Sequence, residues 1–165
     1  GVSGAGRSLK EANLFPEVAE AVHPYGIGHH RHMPEIEQEL GLRAGAPVII
    51  SFTPHLVPMN RGELVTMIVE TKASVAALRE ACVGRYIDEP FVHLLPEGVA
   101  PATRMVRGSN HCVLNVFADR VPGRAIVIAA IDNLVKGSSG QAIQNFNLMF
   151  DLPETTGLEA APLFP

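Results

Sequence analysis

The stretch from His111 to Asn133, HCVLNVFAD-RVPG-RAIVIAAIDN, constrains the fold most. Two apolar runs rich in β-branched residues, His111–Asp119 and Arg124–Asn133, flank the turn signal Arg-Val-Pro-Gly. So short a link joins antiparallel neighbours, because parallel strands need a long crossover. A hairpin is therefore expected. Further strands are expected at Pro47–Pro54 and Pro90–Pro96, each bounded by prolines, and at Leu64–Thr71.

Helical spacing appears in two places. Over Ala73–Gly84, Val75, Leu78, Ala81 and Cys82 share one face, with Gly84 as a stop. Over Ser138–Phe150, Ser138 and Gln141 have capping-box spacing. Pro34 and Glu35 suit the first turn of a further helix. Strands outnumber helices and several links are short. The class expected is α+β: one domain over residues 1–165, with a largely antiparallel sheet and helices on one face. Two glycine-containing segments, GVSGAG and KGSSGQ, lack the strand–turn–helix spacing of a dinucleotide-binding turn.

A net charge of −4 without a basic block argues against nucleic acid or an anionic membrane as the main partner. No apolar run approaches the roughly 20 residues of a membrane span. Two cysteines make no disulfide framework, so a reducing, cytoplasmic setting is the expectation. The chain opens on a loop-like Gly-Val-Ser-Gly-Ala-Gly-Arg, not Met, which suggests a piece of a longer protein.

YGIGHHRHMPEIEQEL places three histidines in four positions. If residues 27–32 are extended, His30 and His32 share a face and His29 takes the other. Three readings stay open: a zinc site with Glu35 as third ligand, a proton-transfer group, or solvated structural histidines. Arg7, Arg61, Arg104 and Arg107 lie in loops, where a guanidinium can clamp a carboxylate or phosphate; dispersed surface charge is the alternative. Cys82 falls on an apolar helix face, and Cys112 points away from its neighbour His111 on a strand. Both read as inert thiols.

Five motifs then coincide, in order and over nearly the whole chain: GVSGAGR, GHHRHMPEIEQEL, FTPHLVPMNRG, VRGSNHCVLNV and AIDNLVKGSSGQAIQNFNLMFDLPETTGL. They resemble the C-terminal half of the N-acetyl-γ-glutamyl-phosphate reductases of arginine biosynthesis. Those enzymes belong to the glyceraldehyde-3-phosphate and aspartate-semialdehyde dehydrogenase superfamily. The resemblance implies an α+β domain that carries acid/base, substrate and oligomer contacts. It also implies an N-terminal Rossmann domain outside this chain, binding NADPH and holding a cysteine nucleophile. In that chemistry a thiolate displaces phosphate from an acyl phosphate, and hydride reduces the thioester to an aldehyde. An imidazolium protonates the oxyanion. By resemblance, His32 or His30 is the acid/base, with His32 preferred. Ser3 and Gly4 would line the pocket, and Arg7, Arg61 and Arg107 would meet anionic groups. The chain alone is expected to be inactive.

Gln141, Gln144 and Asn145 form an uncharged amide stripe on the last helix, opposite Ala142, Ile143, Phe146, Met149 and Phe150, which should face a core. Amides match a carboxamide, so these three are candidate NADPH contacts, with Asn145 foremost. The helix, about residues 138–150, would pack toward the Rossmann domain and be poorly anchored without it. Both faces of the strand runs VTMIVE and AIVIAAI are apolar, which suggests a homo-oligomer. The alternatives are the reductase of lysine biosynthesis, whose acyl phosphate is one methylene longer, and a non-catalytic binding domain.

Overall fold

The computed structural model describes residues 1–163. The backbone forms two compact units, one from Gly1 to Met59 and the other beginning at Asn60.

The first unit is mostly turns. A 3₁₀ turn at Val2–Ala5 is followed by α1 (Phe15–Val18) and β1 (His23–Pro24). Then come α2 (Met33–Ala44) and β2 (His55–Leu56), which pairs antiparallel with β1. Pro34 stands in the first turn of α2, and Gly45 ends it at φ 67°. Two expectations are corrected here. Residues 47–54 pair in no ladder: Pro47 and Pro54 lack N–H donors, Ile50 gives its N–H to the Glu37 side chain, and only His55–Leu56 pairs. Residues 26–32 are turns, not extended chain, with Gly26 at φ 57° and Gly28 at φ 72°.

The second unit is built on a four-stranded sheet. Its elements are β3 (Glu63–Glu70), α3 (Val75–Tyr86), β4 (Val92–Leu94), β5 (Cys112–Ala118), β6 (Arg124–Ile131) and α4 (Gly140–Met149). The sheet order is β3-β6-β5-β4. β6 is antiparallel to both β3 and β5, while β4 runs parallel to β5. This is the mixed, largely antiparallel sheet expected, and the hairpin β5–β6 lies at its centre. α3 packs on β4 and β5, where Arg79 donates to the Leu95 carbonyl and the Asn115 side chain. Val106, Val113 and Ala130 form the buried cluster, with Leu95 and Met105 against it.

α3 starts where Ser74 accepts the Ala77 N–H, but it runs through Gly84 to Tyr86; that glycine keeps an ordinary helical backbone. The capping box at Ser138 is also corrected. Ser138 lies inside a π-helical turn, Val135–Ser139, which feeds α4, and Ser139 returns its hydroxyl to the Leu134 carbonyl.

α4 does not bury the apolar stripe that its spacing marks out. Its buried residues are Gly140 and Asn147, whereas Ile143, Phe146, Met149 and Phe150 are exposed. Asn147 donates to the carbonyls of Glu154 and Thr156, so the polar side anchors the helix to the tail. The periodicity located a stripe, but polar bonds inside the chain decided which face went inward. Phe164 and Pro165 of the Pro-rich tail lie outside the described residues.

Candidate functional site

In the first unit, the turn at residues 26–32 brings His30 and His32 together. The rings lie 4.8 Å apart, and the His32 backbone N–H donates to His30 Nδ1 at 3.2 Å. Tyr25 and Phe52 close on His30 edge-to-face, each at 5.4 Å. Gly26 is required beneath it: a Cβ there would meet His30 Cδ2 at 2.8 Å. His29 turns away, its Nδ1 on the Ile27 carbonyl at 2.8 Å. The grouping thus matches the alternation argument while its cause does not, because a turn and not a strand makes it.

An acceptor Nδ1 places the proton of His30 on Nε2. Desolvation by burial, then the charges of His32, Arg31 and His29, push the His30 pKa below its ordinary value. His30 is therefore a neutral N–H donor near pH 7, whereas His32 is exposed at the entry to α2. Glu35 lies in the first turn of that helix. Among the described residues, no group of three or more His, Cys, Asp and Glu is arranged to hold a metal ion, so the zinc reading finds no ligand set there. Ser3 and Gly4 belong to the opening 3₁₀ turn, and Arg7 is exposed just beyond it.

In the second unit, Glu63 and Cys112 both pair with Ile131. The start of β3, the start of β5 and the end of β6 therefore meet at one end of the sheet. That register gathers the loops that carry Arg61, Arg107 and Lys136. Asp132, fully buried there, accepts from the N–H groups of Gly108, Leu134 and Val135 and from Arg61. Burial raises the pKa of its carboxyl, but these hydrogen bonds outweigh that and hold it below the ordinary carboxylate value. Arg107 is exposed on its loop.

Gln144 is placed differently from Gln141 and Asn145. Its Oε1 accepts from Asn110 at 2.9 Å and Lys136 at 2.6 Å, and its amide donates to Glu154. Gln144 thus ties α4 to the segment before β5, the π-helical turn and the tail, while Gln141 and Asn145 are exposed. The ammonium of Lys136 also lies 5.7 Å from the Phe91 ring centroid. Cys82 and Cys112 are free thiols, and burial pushes both pKa values up against the nearby cations Arg79 and Lys136 respectively.

Two features escaped the sequence. One is Asp132, whose only trace was a lone acid directly after an apolar run. The other is the contact of His93 Nε2 with His111 Nδ1 at 2.8 Å, which depends on the parallel register of β4 and β5.

Residues 1–133 match the family described as semialdehyde dehydrogenase, dimerisation domain. The N-acetyl-gamma-glutamyl-phosphate reductase of Rhodospirillum rubrum is 57% identical over 167 aligned residues, covering 100% of this chain and 47% of that protein. A probable chloroplastic N-acetyl-gamma-glutamyl-phosphate reductase of Arabidopsis thaliana is also 57% identical, over 100% of this chain and 42% of that protein. The chain thus spans about half the length of the curated relatives it matches. Aspartate semialdehyde dehydrogenase II of Vibrio cholerae superposes with a TM-score of 0.67 at 18% identity, over 92% of this chain and 50% of that one, and so shares its fold. With its mixed sheet and with four-fifths of its length inside the family match, the chain belongs to the semialdehyde dehydrogenase dimerisation-domain family.

Proposed function

We propose that this chain is the substrate-binding and dimerisation half of an NADPH-dependent reductase. The reaction converts N-acetyl-glutamyl 5-phosphate to N-acetyl-glutamate 5-semialdehyde in arginine biosynthesis. The observation that carries this reading is 57% identity along the whole chain to a reductase named for that substrate.

In this reading His32 moves the proton at the carbonyl oxygen as the acyl carbon is reduced. His32 is exposed at the entry to α2, where its ring can reach a reacting oxygen, as a group that both gives and takes a proton must. His30 stays neutral and donates Nε2–H to polarise or bind the substrate. Ser3 and Gly4 line the substrate pocket, and Arg7, Arg61 and Arg107 meet anionic oxygens. NADPH, bound mainly by an N-terminal Rossmann domain, supplies hydride. The exposed amides Gln141 and Asn145 fit a carboxamide, which needs both a donor and an acceptor. Gln144 holds their helix in place. The exposed apolar side of α4 packs against that N-terminal domain. The exposed strand β3 pairs two copies of the chain. The free thiols Cys82 and Cys112 suit a reducing cytoplasm.

The test is a steady-state assay of the full-length protein with NADPH and two acyl phosphates, the N-acetyl-glutamyl compound and its homologue one methylene longer. Reduction of the first with the higher kcat/KM supports the reading. Preference for the longer substrate moves the protein to the lysine pathway. Reduction of neither leaves a binding domain without this activity.

A further inference from the structure

Asp132 is bound unevenly by its neighbours. Oδ1 accepts the N–H groups of Leu134 at 2.8 Å and Val135 at 3.1 Å, and Oδ2 accepts that of Gly108 at 2.7 Å. Arg61 reaches the same carboxylate through one nitrogen, Nη1, at 3.2 Å to Oδ2 and 3.5 Å to Oδ1. A carboxylate offers about four acceptor positions, and three close backbone donors fill most of them. A bidentate arginine pair would use two nitrogens at shorter range. Asp132 therefore engages Arg61 through one nitrogen and not as a bidentate pair. The exposures agree: the Asp132 side chain is 0% accessible and that of Arg61 35%.

The root of Arg61 is fixed as well. The N–H of the next residue, Gly62, donates to Asn133 Oδ1 at 2.7 Å. Gly62 has φ 118°, and a Cβ there would meet Thr103 Cβ at 2.6 Å, so the loop is closed against Thr103. The Arg61 side chain is thus held at its base and at one tip, and about a third of it remains accessible.

We propose that Asp132 is a positioning residue, which holds Arg61 by a single nitrogen and presents the rest of the guanidinium to an anionic oxygen of the substrate. This rests on the function proposed above, in which the substrate carries a phosphate and a carboxylate. Either group offers oxygens that a guanidinium edge can bind. Asp132 touches no substrate and acts through Arg61.

The experiment uses the full-length enzyme. Wild type is assayed first, and failure to reduce the acyl phosphate would defeat the functional reading, separately from this inference. In an active enzyme, Asp132→Asn keeps an acceptor for Leu134 and Val135 but places an amide nitrogen or a neutral oxygen opposite Arg61. The expected result is a KM for acyl phosphate raised roughly tenfold, with the KM for NADPH unchanged and kcat less affected. Inhibition by inorganic phosphate and by N-acetylglutamate separates the sources. Weakened phosphate inhibition assigns Arg61 to the phosphate, and weakened N-acetylglutamate inhibition assigns it to the carboxylate. Both inhibitors unchanged would overturn the proposal. Arg61→Lys keeps the charge on Asp132 but offers no second guanidinium nitrogen, so KM should rise by a similar factor. An unchanged KM in that variant overturns the proposal even if Asp132→Asn fails to fold. The double variant should be no worse in KM than Arg61→Lys alone, and additive losses would show that Asp132 acts elsewhere.

Discussion

The His32 backbone N–H donates to His30 Nδ1 at 3.2 Å, which fixes one imidazole in a single tautomer beside a second that is exposed. A protonated His30 would lose that acceptor, and desolvation, then the neighbouring positive charges, already oppose its protonation. The function proposed above therefore assigns proton transfer to His32. In the complete enzyme, His32→Ala should lower kcat on the order of 100- to 10,000-fold. His29→Ala should cost little, since its ring bonds only the Ile27 carbonyl. Equal and minor losses in all three histidine variants would show that the cluster is structural.

The two thiols should stay out of the chemistry. Burial raises both pKa values, which keeps them in the poorly nucleophilic protonated form. After incubation of this chain with the acyl phosphate, intact-mass spectrometry should show no acyl adduct. A stoichiometric adduct on Cys82 or Cys112 would contradict this.

Stability should fall at mildly acidic pH, with a sign set by His111. In the bond to His93 one ring nitrogen donates and the other accepts, so the pair has room for one proton between them. Burial, then the charges of His93 and Lys136, lower the His111 pKa from its ordinary 6.5. The unfolded chain consequently binds the proton first, and stability declines as pH drops below 6.5 until the folded pKa is passed. His30 acts in the same direction. Asp132 works in a lower window: its depressed pKa adds stability above 3.8, which is lost as pH falls through the folded value. Thermal melts from pH 8 to pH 5 should show the first decline, and His111→Gln should flatten it. An unaltered slope in that variant would remove His111 as its source.

The sequence made the sheet legible because strand pairing reads out locally: β-branched runs, a Pro-Gly turn and a link too short for a crossover fixed β5–β6. The three-residue β4 kept its place but lost length, since an edge strand pairs on one side only. The failures have a common physical origin. The run at residues 47–54 has strand composition, yet strands need partners, and partners are not local. α4 has an apolar stripe, but Asn110, Lys136 and Glu154 claim Gln144 from distant parts of the chain. The histidine grouping could be read from the primary structure alone, whereas the bond from His32 to His30 requires a turn built on two left-handed glycines.

β3 should carry the contact between copies. It is the edge of its sheet, and Leu64, Met67, Ile68 and Val69 are exposed on both of its faces. An isologous interface buries each residue twice. Hiding one isoleucine is worth about 1.5–3 kcal/mol, so Ile68→Glu should weaken dimerisation by at least about 100-fold. Light scattering at micromolar concentration should then find monomer where wild type is dimer. A dimer undiminished in the variant would place the interface elsewhere.

The last prediction concerns the exposed side of α4. Phe146 and Phe150 stack with centroids 4.5 Å apart, and Ile143 and Met149 extend the same apolar surface. Lysines and glutamates are the usual choice for a solvated helix face, so four large apolar residues there need a cover. Within this chain the helix is anchored by Asn147, Gln144 and the buried Gly140, none of them part of that apolar stripe. On the function proposed above, the apolar stripe should matter little to residues 1–165 alone and should count where the proposed N-terminal domain is present. Phe146→Ala gives a differential test. In the full-length protein it should destabilise by about 3 kcal/mol, the lower range for a buried phenylalanine truncated to alanine, with a lower Tm. In the chain of residues 1–165 alone the same substitution should leave Tm almost unchanged, because surface substitutions stay within about 0.5 kcal/mol. Equal effects in the two contexts would mean that this face packs on its own half or on nothing, and would remove α4 as the seat of the N-terminal domain.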